Sequence, residues 1–269
     1  MGGKIDAYID IASLYSYIAF THIINNQELL AAHGVQIEFV PLAYQMTLST
    51  TVTHQHTPIR IHPVLLGAIN AASGNKPPWT LPAKAEYGTF DARRSSARAG
   101  KPGITTPESF MERSMTVAPL RALHFIKANY PDATYQTAWH WFLHCFWEPP
   151  NLNLTKPDVL AKAIADAPKQ YPPPASSSNT QEKLFSEADV ERILQGAGSQ
   201  EIKDSVKAKT QEAIDHGAFG APWFWAVNEQ GKGEPFFGSD RFHFIYEYLG
   251  VPYQDIAILP PGGKAAAKL

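Results

Sequence analysis

The stretch Asp10-Ile11-Ala12-Ser13-Leu14-Tyr15-Ser16-Tyr17 constrains this chain more than any other. It joins an alternating apolar run, Lys4 to Ile11, to a pattern in which Ile18, Ala19, Ile23, Ile24, Leu29 and Leu30 recur at helical spacing up to about Ala32. A strand that turns directly into a helix leaves the first N–H groups of the helix unpaired. With the helix dipole, those groups form a place that favours negative charge. Ser13 stands at that place. Serine is also a common helix N-cap, so Ser-x-x-Ser by itself says no more than capping. His33-Gly34 closes the helix, and Val35 to Pro41 alternates again as a second strand. Because a helix lies between them, the two strands are expected to run parallel, as a β-α-β unit.

Composition removes several classes of function. A chain of 269 residues buries a sizeable core without covalent staples. The single cysteine, Cys145, excludes an intrachain disulfide framework and a Cys-x-x-Cys redox centre, and it fits a reducing compartment. A formal net charge of -2 supplies no basic surface for nucleic acid. No apolar run approaches the length of a bilayer span, and Met1-Gly2-Gly3-Lys4 leads into the first strand without a secretory h-region, so a soluble chain is expected.

From Leu42 to about Ser199 the pattern reads as helices separated by Pro- and Gly-rich breaks, with no evident strand. His54, His56 and His62 fall there, but Thr57-Pro58 and His62-Pro63 interrupt any helix that would converge them, so a solvated loop is expected rather than a metal site. The two prolines of Ser73-Gly74-Asn75-Lys76-Pro77-Pro78-Trp79 fix a rigid loop. The helix from Ala138 to Trp147 is aromatic on nearly every face, and is expected in a core or at a subunit contact. Gln170 to Asn179 reads as a surface loop by composition. After it, an amphipathic helix from Glu201 to His216, a strand through Trp223 to Val227, a return at Pro235-Phe236-Phe237 and a final helix ending near Gly250 complete the chain. The expected architecture is an α/β thioredoxin-like domain, residues 1–42 and 200–250, interrupted by a large all-helical insertion, residues 43–199, with a tail at 251–269.

Four motifs occur in order: Ser13-Leu14-Tyr15-Ser16, Ser73 to Pro78, Gly217-Ala218-Phe219-Gly220-Ala221-Pro222, and Phe237-Gly238-Ser239-Asp240-Arg241. Together they resemble the kappa class of glutathione transferases, on the DsbA-like thioredoxin fold. The last two also resemble 2-hydroxychromene-2-carboxylate isomerases of the same superfamily. The resemblance implies glutathione as co-substrate, no metal, and a small electrophile or peroxide as second substrate. It places the thiolate-stabilising, catalytic serine at Ser13, where a redox-active relative carries the first cysteine. It assigns Leu14 and Tyr15 to the same turn, Asn75 and Lys84 to glutathione contacts, Ala221 to main-chain pairing beside a cis Pro222, and Ser239 with Asp240 to the γ-glutamyl end. Leu14 replaces the family's proline, and Ala221 replaces a bulkier residue. The resemblance further implies a homodimer. A glutathione-dependent isomerase and a non-catalytic glutathione-binding module are the competing functions. Ala267-Lys268-Leu269 is a conservative variant of the Ser-Lys-Leu address, so a peroxisomal location is expected ahead of a mitochondrial or cytoplasmic one.

Overall fold

Strand β1 (Gly3–Ile9) is the centre of a five-stranded sheet in the computed structural model, which describes residues 2–36, 57–173 and 182–254. Both faces of β1 are covered. Ile5, Ala7 and Ile9 face one core, while Asp6 and Tyr8, on the alternate face, are buried as well. A carboxylate in that position requires partners, and Asp6 has them in His62 Nε2 at 3.0 Å and Lys4 Nζ at 2.5 Å. Helix α1 (Leu14–Ala32) follows at once, burying Tyr17, Phe20, Ile23 and Leu30, and Gly34 at φ +77° ends it.

The second strand runs parallel to the first, as expected, but is not its neighbour in the sheet. β2 (Val35–Gln36) pairs not with β1 but with β3 (Thr57–Pro63), and β3 lies parallel against β1 with Ile5 opposite Ile59 and Ile9 opposite Pro63. The span 43–199 is therefore not all helical, because a strand of the central sheet lies inside it. The prolines that read as breaks stand near the ends of β3, where a missing N–H removes least from the ladder. His62 is accordingly a buried strand residue and not part of a solvated loop. His54 and His56 lie outside the described residues, as do most of the Val35–Pro41 run, most of the Gln170–Asn179 loop and Ala267-Lys268-Leu269.

The helical part runs through α2 (Leu66–Ser73), a 3-10 turn at Pro78–Thr80, α3 (Pro82–Arg98), the single turn α4 (Phe110–Arg113), α5 (Val117–Asn129), α6 (Asp132–Trp147), α7 (Pro157–Ala165) and α8 (Glu187–Ala197). The aromatic face of α6 is consumed inside the chain: Trp139, Phe142, Phe146 and Trp147 belong to the same core cluster as Ile5 and Ile9 of the sheet. The sheet and the helices thus share one core. Helix α9 (Gln200–Asp215) returns over the other face of the sheet, where Ala213 packs with Tyr8 and Trp223. Strands β4 (Trp223–Asn228) and β5 (Gly233–Phe237) form the antiparallel hairpin beside β1, and α10 (Phe242–Tyr248) closes the fold. Among the described residues no helix is long and apolar enough to cross a membrane.

Candidate functional site

Ser13 is the N-cap of α1, with φ -99° and ψ 113°, and its hydroxyl oxygen accepts the Ser16 N–H at 3.2 Å. The first turn carries no acidic residue, so nothing there offsets the positive end of the dipole. The turn is held from behind. Asp10 Oδ1 accepts Ala12 N–H at 2.9 Å and the Thr116 hydroxyl at 2.8 Å, while Asp10 Oδ2 accepts Leu66 N–H at 2.8 Å. Burial raises the Asp10 pKa above the usual carboxylate range, and these donors oppose the shift. The Trp147 indole N–H adds a bond to Ile11 O at 2.7 Å.

The Ser13 hydroxyl donates to the carbonyl oxygen of Ala221 at 2.9 Å, and the Ala221–Pro222 peptide bond is cis. Ser13 is only 7% exposed, and Ala221 and Pro222 are buried too. Leu14 opens the helix half-buried, its side chain against the main core. Gly74, left-handed at φ +72°, ends α2 and turns the chain into Asn75, whose side-chain amide donates to Phe219 O at 2.7 Å. The Asn75 loop is thereby tied to the segment that carries Ala221.

The Tyr15 hydroxyl donates to Asp91 of α3. Burial raises the Tyr15 pKa, with Asp91 and then Tyr87 and Asp240 adding in the same direction, so the phenol keeps its proton. Asp240 pairs with Arg241, and Ser239 beside it is half-buried. Neither residue caps α10, which has Arg241 at its N-cap position and no side-chain cap bond. Gly238 is required between the strand and this pair: its φ is +100°, and a Cβ there would lie 2.7 Å from Asp240 Oδ1. Lys84 is exposed in the first turn of α3, seven residues before Asp91. That spacing puts the two on one helical face, about 10 Å apart along the axis.

Hydrogen bonds therefore join Ser13 to Ala221, tie Asn75 to Phe219 two residues before Ala221, and link Tyr15 to Asp91 of α3. Asp91 and Thr116 were not legible as parts of this arrangement, since no local motif contains them, and Asp10, though it begins the Ser13 stretch, gave no sign there of its distant partners. The only available signal was the seven-residue spacing from Lys84 to Asp91. Cys145 offers no competing nucleophile, because burial pushes its thiol up to about 12. Among the described residues no group of three or more His, Cys, Asp or Glu side chains could hold a metal ion.

The chain is 26% identical to glutathione S-transferase kappa 1 of Caenorhabditis elegans over 93% of this chain and 92% of that protein. It is 25% identical to glutathione S-transferase kappa 1 of Homo sapiens over 77% of this chain and 83% of that one. Its fold is similar to that of a 2-hydroxychromene-2-carboxylate isomerase, with a TM-score of 0.59, 17% identity, and 91% of this chain and 94% of the other covered. The model of the DSBA-like thioredoxin domain matches residues 4–250. Spanning nearly the whole of the described sheet and helices, that match makes the chain a member of the DSBA-like thioredoxin domain family.

Proposed function

We propose that this protein is a glutathione transferase of kappa type. The observation that carries the reading is the Ser13 hydroxyl, held at the start of α1 and against Ala221 O at 2.9 Å, in a chain whose named relatives are kappa transferases. A free cysteine thiol has a pKa of about 8.5, so little of it is thiolate at neutral pH. A hydroxyl donor and the first-turn N–H groups favour the charged form, and a fall of two units corresponds to about 2.7 kcal/mol of differential stabilisation. The thiol proton passes to solvent. The thiolate then attacks an electrophilic carbon, forming a C–S bond as the leaving group departs. Ala221 pairs with the main chain of the tripeptide, Asn75 and Lys84 take the cysteinyl-glycine side, and Asp240 with Ser239 takes the γ-glutamyl ammonium end. Leu14 and Tyr15 shape the turn beneath the sulfur.

The test is conjugation of glutathione to a chloronitroarene, which releases chloride. Ser13→Ala is expected to lower turnover roughly ten- to a thousandfold, the range for losing one preorganised donor, with glutathione affinity changed much less. Ser16→Ala is expected to retain most activity. The reverse pattern would move the role to Ser16, and no conjugation by the wild-type protein would leave the isomerase and binding readings.

A homodimer belongs to the same proposal, although α6 is not its interface, being buried within one chain. The support comes instead from α3 and the turn before it, where Trp79, Tyr87 and Phe90 are 43%, 59% and 45% exposed on a helix whose one buried residue is Ser96. A second copy of the chain would cover that face. Light scattering at micromolar concentration should give twice 29.7 kDa, and the monomer mass would sink the idea.

A further inference from the structure

The Ser13 hydroxyl has one proton, and it is given to Ala221 O at 2.9 Å. The Ser13 oxygen already accepts Ser16 N–H, so its remaining capacity to stabilise an anion is that proton alone. The same two groups are the ones the proposed function needs twice over: the proton for a thiolate, and the carbonyl for the main chain of the tripeptide. Both lie in a buried contact, where a group left unpaired is costly. We infer that the Ser13–Ala221 hydrogen bond is a specificity device, releasing the thiolate-stabilising proton only to a thiol that brings its own peptide N–H to take over Ala221 O. This rests on the glutathione reading and adds the selection rule to it.

The exchange balances. Before it, Ser13 O–H bonds Ala221 O, and the ligand's cysteinyl N–H bonds water. After it, the cysteinyl N–H bonds Ala221 O, Ser13 O–H bonds the sulfur anion, and the thiol proton has gone to solvent. No buried group is left without a partner. A simple thiol supplies the sulfur but nothing for Ala221 O, so redirecting the serine proton would orphan a buried carbonyl. A tripeptide without sulfur supplies the N–H, which the second lone pair of Ala221 O accepts beside the serine proton, so that proton stays where it is. Sulfur alone therefore pulls against the Ser13–Ala221 bond, and only sulfur together with the peptide N–H replaces it in full.

Two measurements test this. In the first, γ-glutamyl-alanyl-glycine, which has the N–H and no sulfur, is titrated calorimetrically into wild type and Ser13→Ala. Because the two lone pairs of Ala221 O accept both donors, the two proteins are expected to bind it within about threefold of each other. Binding to Ser13→Ala weaker by about tenfold or more would mean that the hydroxyl serves the peptide and not the sulfur, and overturns the inference. In the second, which uses only the wild-type protein, the ultraviolet absorbance of bound thiolate is titrated for glutathione and for its analogue with an ester oxygen in place of the cysteinyl N–H. The glutathione thiol pKa is expected to fall by about one unit or more and that of the ester by less than about half a unit. An equal fall for both overturns the inference and leaves the glutathione reading intact. If glutathione itself titrates as it does in water, or if the sulfur-free peptide binds neither protein, the glutathione reading falls and the selection rule with it.

Discussion

The carboxylate of Asp10 accepts the Thr116 hydroxyl at 2.8 Å, joining the end of β1 to the start of α5, and its other oxygen takes the Leu66 N–H at the start of α2. The turn that carries Ser13 is thus fixed to two helices of the insertion by one buried side chain. Asp10→Ala leaves three buried donors without an acceptor and is expected to cost about 3–5 kcal/mol, whereas Thr116→Val, which removes a donor together with its need for a partner, should cost about 1 kcal/mol. Urea unfolding of the two variants reads the difference directly. Equal midpoints would show that the Asp10 cluster does not hold the turn.

Tyr15 and Asp91 link α1 to α3 through one hydrogen bond. Under the proposed function this link sets the shape of the glutathione subsite rather than the reactivity of the sulfur. Tyr15→Phe and Asp91→Asn are each expected to raise KM for glutathione about three- to tenfold with kcat little changed, and the double variant should be no worse than either single one. Strictly additive effects would mean that the two side chains act independently.

Gly238 holds a left-handed backbone next to the Asp240 carboxylate. Gly238→Ala should cost about 1–2 kcal/mol from the backbone conformation alone. By displacing Asp240 it should also raise KM for glutathione more than it lowers kcat. Thermal unfolding and steady-state kinetics on the same preparation would separate the two effects, and an unchanged KM would remove Asp240 from the binding site.

Beneath the sheet, Lys127 Nζ lies 2.8 Å from Ile61 O and 3.3 Å from His62 Nδ1. Burial pushes His62 down to about 3, so the ring is neutral at physiological pH; it donates from Nε2 to Asp6 and accepts from Lys127 at Nδ1. Burial, and next the charge of Lys209, push the Lys127 amine down to about 7. An unfolded lysine keeps its proton up to about pH 10.4, so between pH 7 and 10 the unfolded chain binds one proton more than the folded chain. Stability therefore rises with pH in that window through this residue, by on the order of 2 kcal/mol between pH 7 and 9. Lys127→Met should lack that increment, with the difference between the two proteins read from urea midpoints at both pH values. Parallel pH curves for wild type and variant would show that Lys127 keeps its proton in the fold.

The local sequence determined the parts of this protein whose causes are local. The alternation of Lys4 to Ile11, the helical spacing behind Ser13 and the closing His33-Gly34 specify β1 and α1, and Ser13 takes the N-cap that its position at the junction requires. The hairpin from Trp223 to Phe237 is equally local, since apolar strands flank the Gly231 and Gly233 turn. Tertiary structure alone decided what depends on neighbours distant in sequence. Thr57 to Pro63 reads as a broken loop until β1 offers a partner from Ile59 to Pro63 and β2 one at Thr57 and Pro58, because a strand bounded by prolines is stabilised by its ladder and not by its own propensity. The aromatic face of α6 demanded burial, but only packing showed that the sheet's own core fills it. The contacts of Asp10 with Leu66 and Thr116 and of Asp91 with Tyr15 join residues from 56 to 106 positions apart, so no window of sequence contains both partners. The same holds for Ser13 and Ala221, 208 positions apart: residue type suggested each, and the fold alone places the hydroxyl proton on the carbonyl.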